Sequence, residues 1–132
     1  MEKMFEPIPE ETERIASQVV DAAIKVHRVL GPGLLESVYE QCLAHELTLR
    51  GFRVQRQLPV PVVYEGLQLE VGYRLDLLVN DRVIVECKAV KEVTPVDRQQ
   101  TLTHIKLSNK RLGFLINFNV TRLKDGLTRI IN

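Results

Sequence analysis

Apolar positions recur along this chain at two periods, and the switch between them predicts the order of elements. Over residues 10–30, Ile15, Val19, Ala22, Val26 and Leu30 return every three or four positions. That spacing predicts an amphipathic helix with one face on a core. Glu10 and Glu11 follow Pro9 at its start, where the helix dipole favours acids, and Gly31-Pro32-Gly33 stops it. A second helix is predicted from about Leu34 to Arg50, with Leu35, Val38, Cys42 and Leu49 on one face and Gly51 at its end.

Beyond Gly51 the period falls to two. Arg53 to Tyr64 reads as extended, but Pro59 and Pro61 cannot donate to a ladder, which predicts an edge or bulged strand. Glu65-Gly66 makes a turn. Leu67 to Val79 alternates, with Leu67, Leu69, Val71, Tyr73, Leu75 and Leu77 on one side and Gln68, Glu70, Arg74 and Asp76 on the other. Asn80-Asp81 marks the next turn, and Arg82 to Val90 is predicted as the central strand. Thr94 as N-cap and Pro95 at the first position open a helix to about Ser108. Leu112 to Asn117 reads as a buried strand, and Leu123 to Ile131 as a last strand or hairpin arm.

With 132 residues, the chain predicts one domain over residues 10–132, preceded by a loose, polar arm over residues 1–9. Its 45% hydrophobic and 27% charged content is ordinary for a soluble globular protein. No apolar run approaches bilayer-spanning length and no secretory signal opens the chain, so a cytoplasmic location is expected. Cys42 and Cys87 have no metal or redox spacing and read as reduced thiols. The net charge of +1 hides an asymmetry. Residues 1–81 hold 8 Lys+Arg against 13 Asp+Glu, a net −5; residues 82–132 hold 10 against 4, a net +6. The basic half offers a surface to a polyanion, or simply solvates a face.

Candidate chemistry concentrates in Val83-Ile84-Val85-Glu86-Cys87-Lys88, with Asp76 ten residues upstream of Glu86. Strand side chains alternate, so Glu86 and Lys88 share a face. A carboxylate and an ammonium on a largely buried strand are costly unless a partner, water or metal uses them. One reading is a structural Glu86–Lys88 pair. The other is a divalent-metal site for phosphodiester cleavage, since Mg²⁺ and Mn²⁺ favour oxygen ligands. Asp76 and Glu86 would be the main ligands, the carbonyl of Cys87 a further one, and Lys88 would orient the attacking water or meet charge on the phosphate. A two-residue loop at Asn80-Asp81 would turn Asp76 away from Glu86. The metal reading therefore predicts an odd loop or a bulge. A three-residue loop, Val79-Asn80-Asp81 with Asp81 left-handed, would pair Leu78 with Arg82 and Asp76 with Ile84.

Gly33-Leu34-Leu35-Glu36-Ser37-Val38-Tyr39 carries the G-x-x-E-x-x-Y pattern, and the chain resembles the GxxExxY protein family. The run Val26 to Gly33 and Ile116-Asn117-Phe118 support the resemblance, which spans about Glu13 to Ile131. That family is similar to the PD-(D/E)xK, or restriction-endonuclease-like, superfamily. The resemblance implies an α/β (α+β) fold with a restriction-endonuclease-like core, a central mixed β-sheet flanked by helices in the order α-α-β-β-β-α-β-β. It also implies that Asp76, Glu86 and Lys88 are catalytic and that Glu36 joins them as a ligand, directly or through water. Relatives carry Q-x-x-x-Y on the helix after the E-x-K strand. The matching positions here are Gln100 and His104, expected to contact the site or the nucleic acid. Tyr39 is a substrate-contact candidate or a core ring with a bonded hydroxyl. His27 reads as structural and His45 as exposed.

The function implied is a Mg²⁺- or Mn²⁺-dependent nuclease acting on DNA in preference to RNA. Its alternative is a non-catalytic domain that keeps the fold and binds nucleic acid or protein. A domain of this size is expected to use a homodimer or a partner subunit to grip a duplex.

Overall fold

A computed structural model of the protein describes residues 6–132. Residues 1–5 of the expected arm lie outside the described residues. The elements are α1 (Glu10–Leu30), α2 (Glu36–Leu49), β1 (Val54–Tyr64), β2 (Leu67–Val79), β3 (Val83–Lys88), α3 (Pro95–Leu107), β4 (Leu112–Asn117) and β5 (Leu127–Ile131). A 3₁₀ turn, Leu123–Gly126, occupies the start of the span expected as the last strand. The sheet order is β1-β2-β3-β4-β5. Only β3 and β4 are parallel. A parallel pair needs a crossover, and α3 supplies it.

The core divides between the two faces of this sheet. On one face α1 and α2 pack over Leu77, Val79, Val83, Val85, Cys87, Leu112, Phe114 and Ile116. The other face holds a small cluster of Leu75, Leu78, Ile84 and Ile105 from α3, with Leu58, Val60 and Tyr73 against it. The α1 stripe is buried as expected, with Leu30 half-buried at its end. The α2 face is not the expected one. Tyr39, Glu40, Leu43, Ala44 and Leu47 are buried, while Leu35 and Leu49 are exposed. Apolar residues are spread around α2, so their spacing does not select a face. The selection is made by Tyr39, whose ring stacks on Phe118 at 4.6 Å, and by a hydrogen-bonded acid, Glu40.

The β2–β3 loop has three residues, so the odd parity holds, but it starts one residue later than expected. Val79 pairs with Val83, and Asn80-Asp81-Arg82 form the loop. Asn80 (φ 49°) and Asp81 (φ 57°) are both left-handed. Val79 and Val83 are fully buried, and that burial keeps Val79 in the strand.

The even alternation expected of β2 breaks at Asp76. Leu77 and Val79 face the α1/α2 side, whereas Leu75 and Tyr73 face the α3 side, although all four share one parity. Its neighbour β1 switches at the same level: Val54 packs with the first cluster and Leu58 and Val60 with the second. Both strands thus rotate about their axes at one rung. β1 is the sheet's outer strand, and its register slips again between Val60 and Val62, as its prolines predict.

Candidate active site

β2 and β3 form a ladder only between Leu77–Val85 and Val79–Val83, and they part beyond it. Asp76 and Glu86 are the first residues past the last rung, one on each arm of the fork. A buried backbone donor must find an acceptor. Here the carboxylates provide it across the gap. Asp76 Oδ2 accepts from the Cys87 N–H at 2.8 Å, and Glu86 Oε2 accepts from the Asp76 N–H at 3.1 Å. Each acid is thereby fixed to the opposite strand. A strand residue directs its N–H and C=O to the same edge. The Cys87 carbonyl therefore faces the fork, while its thiol is buried in the α1/α2 core, where burial pushes it well above the usual thiol range.

Two helices complete the site. Glu36 opens α2, and Tyr39 fixes the turn before it: its hydroxyl donates to Gly31 O at 2.5 Å and accepts from Leu34 N–H at 3.1 Å. Partial burial raises the Glu36 carboxyl above its ordinary value; the nearby Lys88 ammonium opposes that shift and Asp76 adds to it. From the other side comes α3, started by a reciprocal cap in which Thr94 Oγ1 accepts from Asp97 N–H and Asp97 Oδ2 from Thr94 N–H. Its Gln100, Thr101 and His104 reach the same place. Glu36, Arg74, Asp76, Glu86, Lys88, Gln100, Thr101 and His104 line one cavity of about 120 Å³.

Glu86 is the most buried acid of the set, 7% exposed. Burial raises its carboxyl; the His104 bond lowers it, and the charge of Asp76 raises it further. His104 Nδ1 lies 2.6 Å from Glu86 Oε1. The imidazole is in turn stacked on Tyr73 at 4.5 Å, whose hydroxyl is 2.8 Å from Ser108 Oγ. His104, the residue at the tyrosine position of the expected Q-x-x-x-Y spacing, is thus committed to an acid of the site.

The structure brings Glu36, Asp76, Glu86, Lys88, Gln100 and His104 together. Tyr39 is not among them: it is fully buried against Phe118, and both bonds of its hydroxyl go to the turn before α2, so substrate contact does not fit its position. His27 is structural, its Nε2 2.7 Å from Val120 O, and His45 is exposed. Sequence reasoning missed Arg74 and Thr101 on the cavity wall and the bonded pair Glu40–Gln57 behind it. Arg74 stood on the Asp76 side of the alternating strand, which was a usable signal; Gln57 and Glu40 carried none.

Among the described residues, no three His, Cys, Asp or Glu side chains close into a ready-made ligand cluster. The donor chemistry nevertheless fits a hard cation. A carboxylate oxygen that accepts one N–H retains a further lone pair, and Mg²⁺ binds through one or two carboxylates while keeping several waters. Asp76 and Glu86 satisfy that requirement.

A family model described as the PD-(D/E)XK nuclease superfamily matches residues 13–130. Three helices and a five-stranded mixed sheet among the described residues agree with the restriction-endonuclease-like fold. No curated protein and no solved structure matches the chain.

Proposed function

The chain belongs to the PD-(D/E)XK nuclease superfamily, and on that premise we propose that it is a Mg²⁺- or Mn²⁺-dependent nuclease that hydrolyses phosphodiester bonds in DNA. What supports the reading is the convergence of Glu36, Asp76, Glu86 and Lys88 on one cavity from two strands and a helix. Asp76, Glu86 and the Cys87 carbonyl would hold the cation, with Glu36 joining them directly or through water. A bound divalent cation lowers the pKa of water and neutralises phosphate charge. Lys88 then has two tasks open to its ammonium: orienting the attacking water and donating to a phosphate oxygen. Arg74 lies on the same wall and meets an adjacent phosphate. Gln100 and the free edge of His104 contact the nucleic acid. Cys42 and Cys87 are unpaired thiols, in keeping with a cytoplasmic protein. No helix among the described residues is long and apolar enough to cross a membrane. A second copy or a partner subunit would extend the grip on a duplex.

The test is cleavage of single-stranded DNA, duplex DNA and RNA by the purified protein with Mg²⁺ or Mn²⁺ against EDTA. The expected result is cation-dependent cutting of DNA that is lost in Asp76→Asn. Cutting that survives this substitution overturns the assignment. Binding to DNA without cutting identifies instead a non-catalytic nucleic-acid-binding domain on the nuclease fold.

A further inference from the structure

Gln57 stands where β1 and β2 both rotate. The β1–β2 ladder pairs Arg56 with Leu77 and Leu58 with Leu75, and omits the rung between them, Gln57–Asp76. Gln57 has φ 49°, a left-handed conformation in the middle of a strand. L-residues with side chains seldom adopt it, and such strain persists only where the surroundings over-determine it. Glycine would take the same conformation without a steric cost.

The side chain accounts for a glutamine here. Its Nε2 donates to Glu40 Oε1 at 2.8 Å and to Asp76 Oδ1 at 3.3 Å. An ionised carboxylate can only accept, so the amide NH₂ is the group that meets both neighbours. Asp76 is therefore gripped at both oxygens, at Oδ1 by Gln57 and at Oδ2 by the Cys87 N–H. Glu40 is itself buried, is bonded by Arg56 Nη2 at 3.1 Å, and follows Glu36 by one helical turn on α2.

We propose that Gln57 is a positioning residue: its amide ties Asp76 to Glu40 of α2, and the strained backbone of β1 is what brings that amide to bear. The inference deepens the nuclease reading, because the oriented group is the proposed cation ligand Asp76. Gln57 is not among the residues that line the cavity. It acts through the carboxylate it aims, as outer partners of metal ligands do.

Gln57 is exposed, so its variants fold. Gln57→Gly separates the two features, since it relieves the backbone and removes the amide. The expected result is a retained cooperative thermal transition together with a Kd for Mn²⁺ weakened by about tenfold or more, read by EPR of free Mn²⁺. Gln57→Leu keeps the strain without the amide, and is expected to weaken Mn²⁺ equally while lowering Tm below that of Gln57→Gly. The Cys87 amide gives a readout independent of metal and of cleavage. Its ¹H shift reports the bond to Asp76 and is expected to move upfield, with faster hydrogen exchange, in both variants. Unchanged Mn²⁺ affinity in Gln57→Gly overturns the proposal. A parent that binds no Mn²⁺ defeats the nuclease reading alone, and the Cys87 amide then decides the role of Gln57: a shift unmoved in both variants overturns it.

Discussion

The two faces of the sheet are built on different terms. The α1/α2 face buries a large, continuous apolar cluster, in which the Tyr39 ring lies on Phe118, coplanar to within 7°. Among its polar members, His27 and the Tyr39 hydroxyl are bonded to backbone, and the buried Glu40 to the Arg56 and Gln57 side chains. The α3 face closes over four buried apolar side chains, with a few partly buried ones beside them, and carries acids, amides and cations around a small cavity. Burial of apolar area stabilises the first face at about 25 cal/mol per Å². Crowded carboxylates with raised pKa values oppose folding on the second, as sites prepared for a charged ligand do. Stability thus resides mainly under α1 and α2 and chemistry at the β2–β3 fork, to which α2 contributes Glu36 from its first turn, and substitutions should separate accordingly.

The sharpest separation is expected on the α3 face. Lys88→Ala and Asp76→Asn should each reduce cleavage by about 10²–10³-fold while leaving the denaturation midpoint nearly unchanged. A large loss of stability in either would erase the contrast between the faces. The reverse is expected of Phe118→Ala on the other face. Removing that fully buried ring should cost about 3–5 kcal/mol in urea denaturation, with kcat preserved in whatever protein remains folded. Tyr39→Phe sharpens the comparison within the stretch Gly33 to Tyr39 itself. It removes the hydroxyl that serves Gly31 and Leu34, at a cost of about 1 kcal/mol, and should leave KM for DNA unchanged. A raised KM with intact stability would return Tyr39 to the substrate surface.

The smallest effect belongs to the exposed pair Glu13–Arg129, which joins α1 to β5 with bonds of 2.8 and 2.7 Å. The Arg129 guanidinium holds the Glu13 carboxyl below its ordinary value. A depressed carboxyl adds stability at pH values above its unfolded pKa and loses it as pH falls through the folded one. Glu13→Gln should therefore lower stability by no more than a few tenths of a kcal/mol at pH 7, in keeping with solvent-exposed pairs. Its deficit against the parent should disappear in strong acid.

How legible these features were in the sequence depended on the length of the signal. The helix over residues 10–30, the strands Leu67–Val79 and Leu112–Asn117, and the Thr94-Pro95 helix start came directly from period and cap. α2 was found, but its buried side was misread, because a tyrosine and a glutamate define it through bonds that hydropathy does not record. The parity of the β2–β3 loop followed from requiring Asp76 and Glu86 to meet. Its register did not, since burial of Val79 decides that, and burial depends on α1 and α2 packing above. Of the cavity residues, Asp76, Glu86 and Lys88 stood out as charges in apolar strands. Glu36, Gln100 and His104 emerged only through resemblance, being separated by long stretches of chain. Gln57 was invisible: its importance lies in a backbone angle and in two acceptors, one on a distant helix.

Pro59 and Pro61 do more than bend β1. They strip two amide donors from the margin where the sheet would otherwise recruit further strands. The opposite margin is β5, only five residues long. Both borders are thus poor templates for edge-to-edge pairing, even though the hairpin tip between β1 and β2 exposes Val63, Tyr64, Leu67 and Leu69.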